Sequence, residues 1–169
     1  MVQCGAKGLK VDPLNPVLED EIKGQLGFVS TYKHSLDPKR RLTIPSEWRA
    51  QIGEPRSLYV LPGIHEECLC VFPAQEMLHR LERMRRHSIA DQRARSFARV
   101  LASQSDLVSW DNQGRIRIKD HLLDYAHLAD QVVLVGAFDS FELWNPKAAD
   151  KAGSLDPARL QEAAQYVGF

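Results

Sequence analysis

Apolar and polar positions change rhythm along the chain, and the changes mark its elements. Residues 1–26 have no period. Gly5, Gly8 and Gly24 with Pro13 and Pro16 break up scattered apolar residues, which reads as an N-terminal tail, flexible unless docked. A short helix over 17–23 is the one element that stretch could hold. Phe28 to His34 reads as a strand, and Leu36-Asp37-Pro38-Lys39 as a turn, with Asp and Pro placed for a type I turn. Leu42 and Ile44 alternate with Arg41 and Thr43, the mark of a half-buried strand. Pro45-Ser46-Glu47 opens a short helix ending near Gly53. Ser57–Leu61 and Cys68–Phe72 are two further strands, joined through Pro62-Gly63. Two helices follow, over 74–86 and 91–103. Met77, Leu81 and Met84 make an apolar stripe on the first, and Phe97, Val100 and Leu101 on the second.

The pattern then repeats. Asp37-Pro38-Lys39-Arg40-Arg41-Leu42-Thr43-Ile44 aligns with Asp111-Asn112-Gln113-Gly114-Arg115-Ile116-Arg117-Ile118 at an offset of 74. The same offset aligns Leu58–Leu61 with Val132–Val135. With the next loop shortened by two residues, Leu69–Phe72 aligns with Phe141–Trp144. Each copy is a strand–turn–strand–short helix–strand–strand unit. At about 45 residues it is too small to bury its apolar face alone, so the copies are expected to share a core. The organisation is thus a tail (1–26), a first unit (28–76), connecting helices (77–104), a second unit (106–149) and a C-terminal helix (154–169). Asp156-Pro157 supplies the start of that helix, as N-cap and first helical residue.

Composition changes this picture in two places. Hydrophobic residues are 44% and charged residues 26% of the 169, near the globular average, which excludes a wholly disordered chain. No apolar run reaches membrane-spanning length and no secretory signal opens the chain. Three cysteines, Cys4, Cys68 and Cys70, are too few for a disulfide scaffold, so the expected compartment is a reducing cytoplasm. The net charge is zero, but unevenly spread. Residues 31–99 hold 13 basic and eight acidic groups, and residues 106–169 hold six and ten. The basic half suits a polyanion. Head-to-tail contact between unlike halves would build a homo-oligomer.

The two D-x-x-x-R motifs, Asp37 to Arg41 and Asp111 to Arg115, resemble the MraZ family of bacterial transcriptional regulators, which carry two SpoVT/AbrB-like units. Tyr32-Lys33-His34-Ser35-Leu36-Asp37 and Gly136-Ala137-Phe138-Asp139-Ser140-Phe141-Glu142-Leu143-Trp144 carry the same resemblance, which spans residues 28–148. It implies an α+β fold, a double-split β-barrel of two pseudo-repeated swapped-hairpin units with helices between and after them. It also implies ring-shaped homo-oligomers on double-stranded DNA. The implied target is direct repeats in the promoter of the division and cell-wall gene cluster, including the protein's own gene, with a nucleoid-associated location. Departures from the family pattern are Arg40 where Gly usually precedes the Arg, Val29 where Arg is usual, and Lys119 where Pro is common. If the first turn needs a positive φ, Arg40 is strained.

The candidate DNA-binding residues are Lys33, His34, Lys39, Arg40 and Arg41, gathered on or beside the first turn, with Arg49 nearby. Lys and Arg supply salt-dependent phosphate affinity, Arg reads guanine bidentately, and a two-stranded ribbon fits the major groove. For an arbitrary turn the same residues would be a solvated face; the resemblance turns the weight to DNA. It matches Arg41 and Lys39 to the motif Arg and Lys. Asp37 and Asp111 are motif residues that cap their turns through backbone N–H groups, with Arg pairing as a second role. Arg115, set among Asp106, Asp111, Asp120 and Asp124, is expected to serve folding or assembly. The helical arginines between Arg80 and Arg99 form a solvated face or an inter-subunit ion-pair surface against the acidic second half, with direct DNA contact as the third reading.

Catalytic chemistry finds no support. There is no G-x-S-x-G, no paired Cys and His, and no Gly-rich phosphate loop, so no enzyme, cofactor or small-molecule substrate is expected. His65-x-x-Cys68-x-Cys70 could suggest zinc, but structural zinc favours four ligands in closed pairs. Cys68 and Cys70 share one side of a strand, where buried Cys is common, so no metal is assigned. Two alternatives to a DNA-binding regulator are an AbrB-like antitoxin and a structural oligomer without a DNA role. Two units and a short helical end count against the antitoxin.

Overall fold

The computed structural model describes residues 27–86, 91–152 and 156–168. The tail over 1–26, with its possible helix over 17–23, lies outside the described residues. The strands are β1 (Thr31–Ser35), β2 (Arg41–Thr43), β3 (Ser57–Pro62), β4 (Leu69–Pro73), β5 (Asp106–Ser109), β6 (Arg115–Arg117), β7 (Gln131–Gly136) and β8 (Phe141–Trp144). The helices are α1 (Ser46–Ile52), α2 (Ala74–Arg85), α3 (Gln92–Gln104), α4 (Asp120–Tyr125), α5 (Pro146–Ala152) and α6 (Pro157–Val167). The fold is α+β with antiparallel sheets. No described helix is long and apolar enough to cross a membrane.

Six strands form one sheet in the order β1-β7-β8-β4-β3-β5, and β2 pairs with β6 in a two-stranded ribbon. The order reads the same from either end once each strand is exchanged for its repeat partner. The first strand of each unit is donated to the other: β1 pairs with β7 (Lys33↔Val133) and β5 with β3 (Tyr59↔Leu107). The two halves meet at β4 and β8, in the register Leu69↔Leu143, Cys70↔Glu142, Val71↔Phe141.

Repeat partners fill a common core. Leu42 and Ile116, Leu58 and Val132, and Val60 and Leu134 are all fully buried in one cluster drawn from both units. Each inward residue removed from water contributes about 1.5–3 kcal/mol, and only joining the units hides both sets. Trp48 and Ile52, one turn apart on α1, enter this cluster from above. Trp48 stacks edge-on with Phe28 at 5.6 Å and lies 4.9 Å from Phe141.

The strand expected from Phe28 is interrupted. Phe28 bridges to Phe138, then Ser30 takes φ 76°, and regular pairing starts at Thr31. The kink lets Phe28 reach the aromatic cluster while Val29 faces solvent. The apolar stripe on α3 is open: Phe97 and Val100 are exposed at 45% and 63%, and α3 buries no residue. That stripe borders an open groove with Ile64 and Tyr125 instead of entering the core. On α2, Met77 is buried as expected while Leu78 is exposed. At α6, the Asp156 side chain accepts from Ala158 N at 3.0 Å, with Pro157 opening the first turn. Helix α5 follows β8 directly, where the sequence pattern predicts no element.

Candidate nucleic-acid interface

Each D-x-x-x-R motif forms the same closed turn. Asp37 Oδ1 accepts from Lys39 N at 2.9 Å and Arg41 N at 2.8 Å, while its Oδ2 accepts from Arg41 Nε at 2.7 Å. Asp111 Oδ1 accepts from Gln113 N at 2.9 Å and Arg115 N at 3.0 Å. Its Oδ2 accepts from Arg115 Nε at 2.9 Å and Nη2 at 2.7 Å. The carboxylates thus cap the turn and pair with the motif Arg together. Backbone bonds match as well: Arg40 N donates to Asp37 O at 2.9 Å, and Gly114 N to Asp111 O at 2.8 Å.

These bonds set the carboxyl groups. The hydrogen bonds from Arg115 hold Asp111 well below the usual carboxylate range, at about 2. At Asp37, desolvation works upward, but the bonds from Arg41 and Lys39 outweigh it and the net shift is downward.

Pairing of β2 with β6 sets the two turns together. Leu42 and Ile116 face inward, fully buried, and Arg41 stands opposite Arg117 and Thr43 opposite Arg115. Period two then turns Arg41, Thr43, Arg115 and Arg117 to the other side of the ribbon. Arg41 Nη1 lies 3.9 Å from Asp111 Oδ2, so the first motif's Arg touches the second motif's Asp. Each turn also lends a carbonyl to the other unit: Ile44 N donates to Gly114 O at 2.9 Å and Ile118 N to Arg40 O at 3.0 Å.

The structure places the sequence candidates unevenly. Lys39 and Arg40 are exposed at the tip of the first turn. Arg40 has φ 60°, the left-handed conformation that its counterpart Gly114 adopts at φ 75°, so the strain expected at Arg40 is present. Its Nε lies 3.5 Å from Asp120 Oδ1, across the units. Arg41 and Arg115 are mostly covered, at 28% and 25% side-chain exposure, with guanidinium groups engaged by carboxylates. His34 is half-buried opposite Val132 on the core face of β1. Lys33 is exposed opposite Val133, on the other face of the sheet from the ribbon.

Arg49 is not part of the exposed basic tip. Its Nε donates to Ile44 O at 3.1 Å, and its guanidinium covers Gly114 so closely that a Cβ there would lie 2.5 Å from Nε. Arg117 is a basic ribbon residue outside the set of sequence candidates. Among the described residues Lys33, Lys39 and Arg117 carry no ion pair, whereas Lys119 pairs with Asp106 at 2.8 Å. The signal for Arg117 was its alignment with Thr43 beside the motif. Of the helical arginines, Arg80 pairs with Asp139 in the second unit and with Glu76 on its own helix.

The family described as "MraZ protein, putative antitoxin-like" matches residues 28–100 and 101–151. A protein of Carboxydothermus hydrogenoformans named transcriptional regulator MraZ is 34% identical over 140 residues, covering 83% of this chain and 96% of that one. One of the same name from a Nocardioides species is 36% identical over 121 residues, covering 72% and 82%. Another, from Finegoldia magna, is 33% identical over 118 residues, covering 70% and 80%. The chain belongs to the MraZ family.

Proposed function

We propose that this MraZ-family chain is a sequence-specific DNA-binding transcriptional regulator that offers the first turn and the β2–β6 ribbon to double-stranded DNA. The observation that carries the reading is the pair of locked turns, one basic and exposed at its tip, set side by side on a ribbon bearing three arginines. A ribbon of this width enters a major groove, and locked turns reach it without ordering cost. Lys39 and Arg40 make the direct contacts, with Arg117 and His34 at the margin. Arg41, tied to Asp37 and near Asp111, holds the turn in shape and offers DNA only its remaining N–H groups. Lys33 adds to the long-range field.

In this reading the six-stranded sheet and the ribbon close into a double-split barrel, and copies assemble into a ring. Direct repeats ahead of the division and cell-wall cluster, including this chain's own gene, would then meet several first turns at once. Each weak contact gains through effective concentration. The cytoplasmic nucleoid is where such a complex works.

The test is fluorescence anisotropy on a duplex taken from directly upstream of the chain's own gene, against a scrambled duplex, over a salt series. Wild type is expected to prefer the upstream duplex. Lys39→Ala is expected to weaken binding and to lower the salt slope by about one per turn engaged. Equal affinity for the scrambled duplex removes the specific-regulator reading. An unchanged slope in Lys39→Ala removes that residue from the contact set.

A further inference from the structure

The sheet seam carries a second cluster, on the face opposite the ribbon. Cys68 and Cys70 stand two apart at the head of β4, so their side chains leave the same face. The antiparallel register sets Glu142 of β8 directly across from Cys70. The two Sγ atoms and a Glu142 carboxylate oxygen all lie within 4.8 Å of one another. We propose that Cys68, Cys70 and Glu142 form a binding site for a thiophilic divalent cation of the zinc class, bridging the two units.

Ligand chemistry selects the ion. Two sulfurs and one carboxylate suit zinc and its softer congeners and not magnesium or calcium, which take oxygen. Tetrahedral zinc holds S and O ligands about 3.3–3.8 Å apart, so the three atoms need close by no more than about 1.5 Å. Three protein ligands leave a fourth position for water. Cys70 and Glu142 are half-buried, which gives the ion a way in, while Cys68 is 2% exposed and anchors the inner side.

The surroundings are shaped for this cluster. Trp144 Nε1 donates to Glu142 Oε2 at 2.9 Å and so orients the carboxylate, the part an outer partner plays around a metal ligand. Gly63 N donates to Cys68 O at 2.8 Å, and a Cβ on Gly63 would sit 2.9 Å from Cys68 Sγ, so a larger residue would crowd the thiol. Glu66 adds negative charge near both sulfurs. The nearby cation Arg80 is taken up by Glu76 and Asp139. His65, the nitrogen that the sequence spacing put forward, is not in the cluster; Glu142 takes its place from the other unit. The bound ion would staple β4 to β8, the strand pair at which the two halves of the sheet join.

The experiment is a cobalt titration of the reduced, chelator-stripped full chain, followed by zinc competition. Wild type is expected to develop thiolate-to-cobalt charge-transfer absorption saturating at one equivalent per chain, abolished by zinc, with a raised thermal midpoint in zinc. Cys70→Ser should lose the charge-transfer band. Glu142→Gln should bind at least about tenfold more weakly, and Trp144→Phe should weaken binding in the same direction. Cys4→Ser should bind as wild type. Both Cys70→Ser and Glu142→Gln change half-exposed residues, and circular dichroism before metal addition checks their folding. Absence of the charge-transfer band in wild type, its persistence in Cys70→Ser, or its loss in Cys4→Ser would overturn the proposal. None of these readouts depends on DNA binding.

Discussion

The two motif turns have the same backbone bonds, the same carboxylate cap and an Arg paired to that carboxylate, yet they face different surroundings. The second turn is small and covered: Gly114 is buried under Arg49, which comes from the first unit. The first is bulky and open: Arg40 fills the equivalent left-handed position and projects to solvent, near only Asp120. A left-handed φ strains a side chain but does not forbid one, as Arg40 shows. It excludes a Cβ only where something lies on top. The repeat therefore holds one turn whose side chain sits at a strained left-handed φ and one whose left-handed position lies under the Arg49 guanidinium. The costly turn is the basic one, which is where strain is expected to coincide with use.

The sharpest way to break this comparison is Arg41→Ala beside Arg115→Ala. Both remove a carboxylate pair from a partly covered turn, with one side-chain hydrogen bond at Arg41 and two at Arg115, so both should lower stability, by about 1–2 kcal/mol. Only Arg41→Ala is expected to lose nearly all promoter binding, because the loss recurs at every subunit. Anisotropy on folded proteins of matched oligomeric state checks it. Loss of binding in Arg115→Ala alone would reverse the assignment of the turns.

Gly114→Ala tests the cover. It forces a Cβ into Arg49 and a side chain into φ 75°, with an expected loss of about 2–3 kcal/mol, or about 5–10 °C in the thermal midpoint. A shift within one or two degrees would mean that Arg49 moves aside freely. Arg49→Ala should then rescue part of the loss, since it removes the obstacle but not the strained φ.

Acid should separate the two carboxylates. Asp111 is held at about 2, below its ordinary 3.8, so its contribution is complete above about pH 4 and fades as pH falls through about 2. Asp37 is lowered too, against an opposing desolvation, and contributes in the same direction. Midpoints measured down this range should fall less steeply in Asp111→Asn than in wild type. A parallel acid limb would show that Asp111 carries none of it.

The smallest effect belongs to Arg40→Gly. Relief of the left-handed strain outweighs the added freedom of the unfolded chain and the loss of an exposed ion pair, for a net gain of about 0.5 kcal/mol. Promoter affinity should drop in the same protein. A variant that is both less stable and unimpaired in binding would contradict both halves of the comparison.

Much of the fold was legible because its signals are local. Asp37 and Asp111 bond to groups two and four residues away, so their spacing alone announces the turn. Asp156-Pro157 announces α6 in the same way. The alternation around Leu42 and Ile116 marks the ribbon's buried side, and Arg40 in a glycine position marks a positive φ. The stripe on α3 stays exposed because an amphipathic period shows that a face is apolar, not that something covers it.

Local pattern specifies the two units, their turns, their buried faces and the basic half of the chain. Tertiary structure alone decided which strand pairs with which. Because the units are near copies, β1 has two similar partners, β3 of its own unit and β7 of the other, and no local preference separates them. The choice lies in the collective burial of both apolar faces, which becomes favourable only when the strands are exchanged. The same long-range step lays Arg49 over Gly114, brings Arg41 to Asp111, and sets Glu142 beside Cys68 and Cys70. Each of those contacts joins residues more than 60 positions apart, beyond the reach of any periodicity.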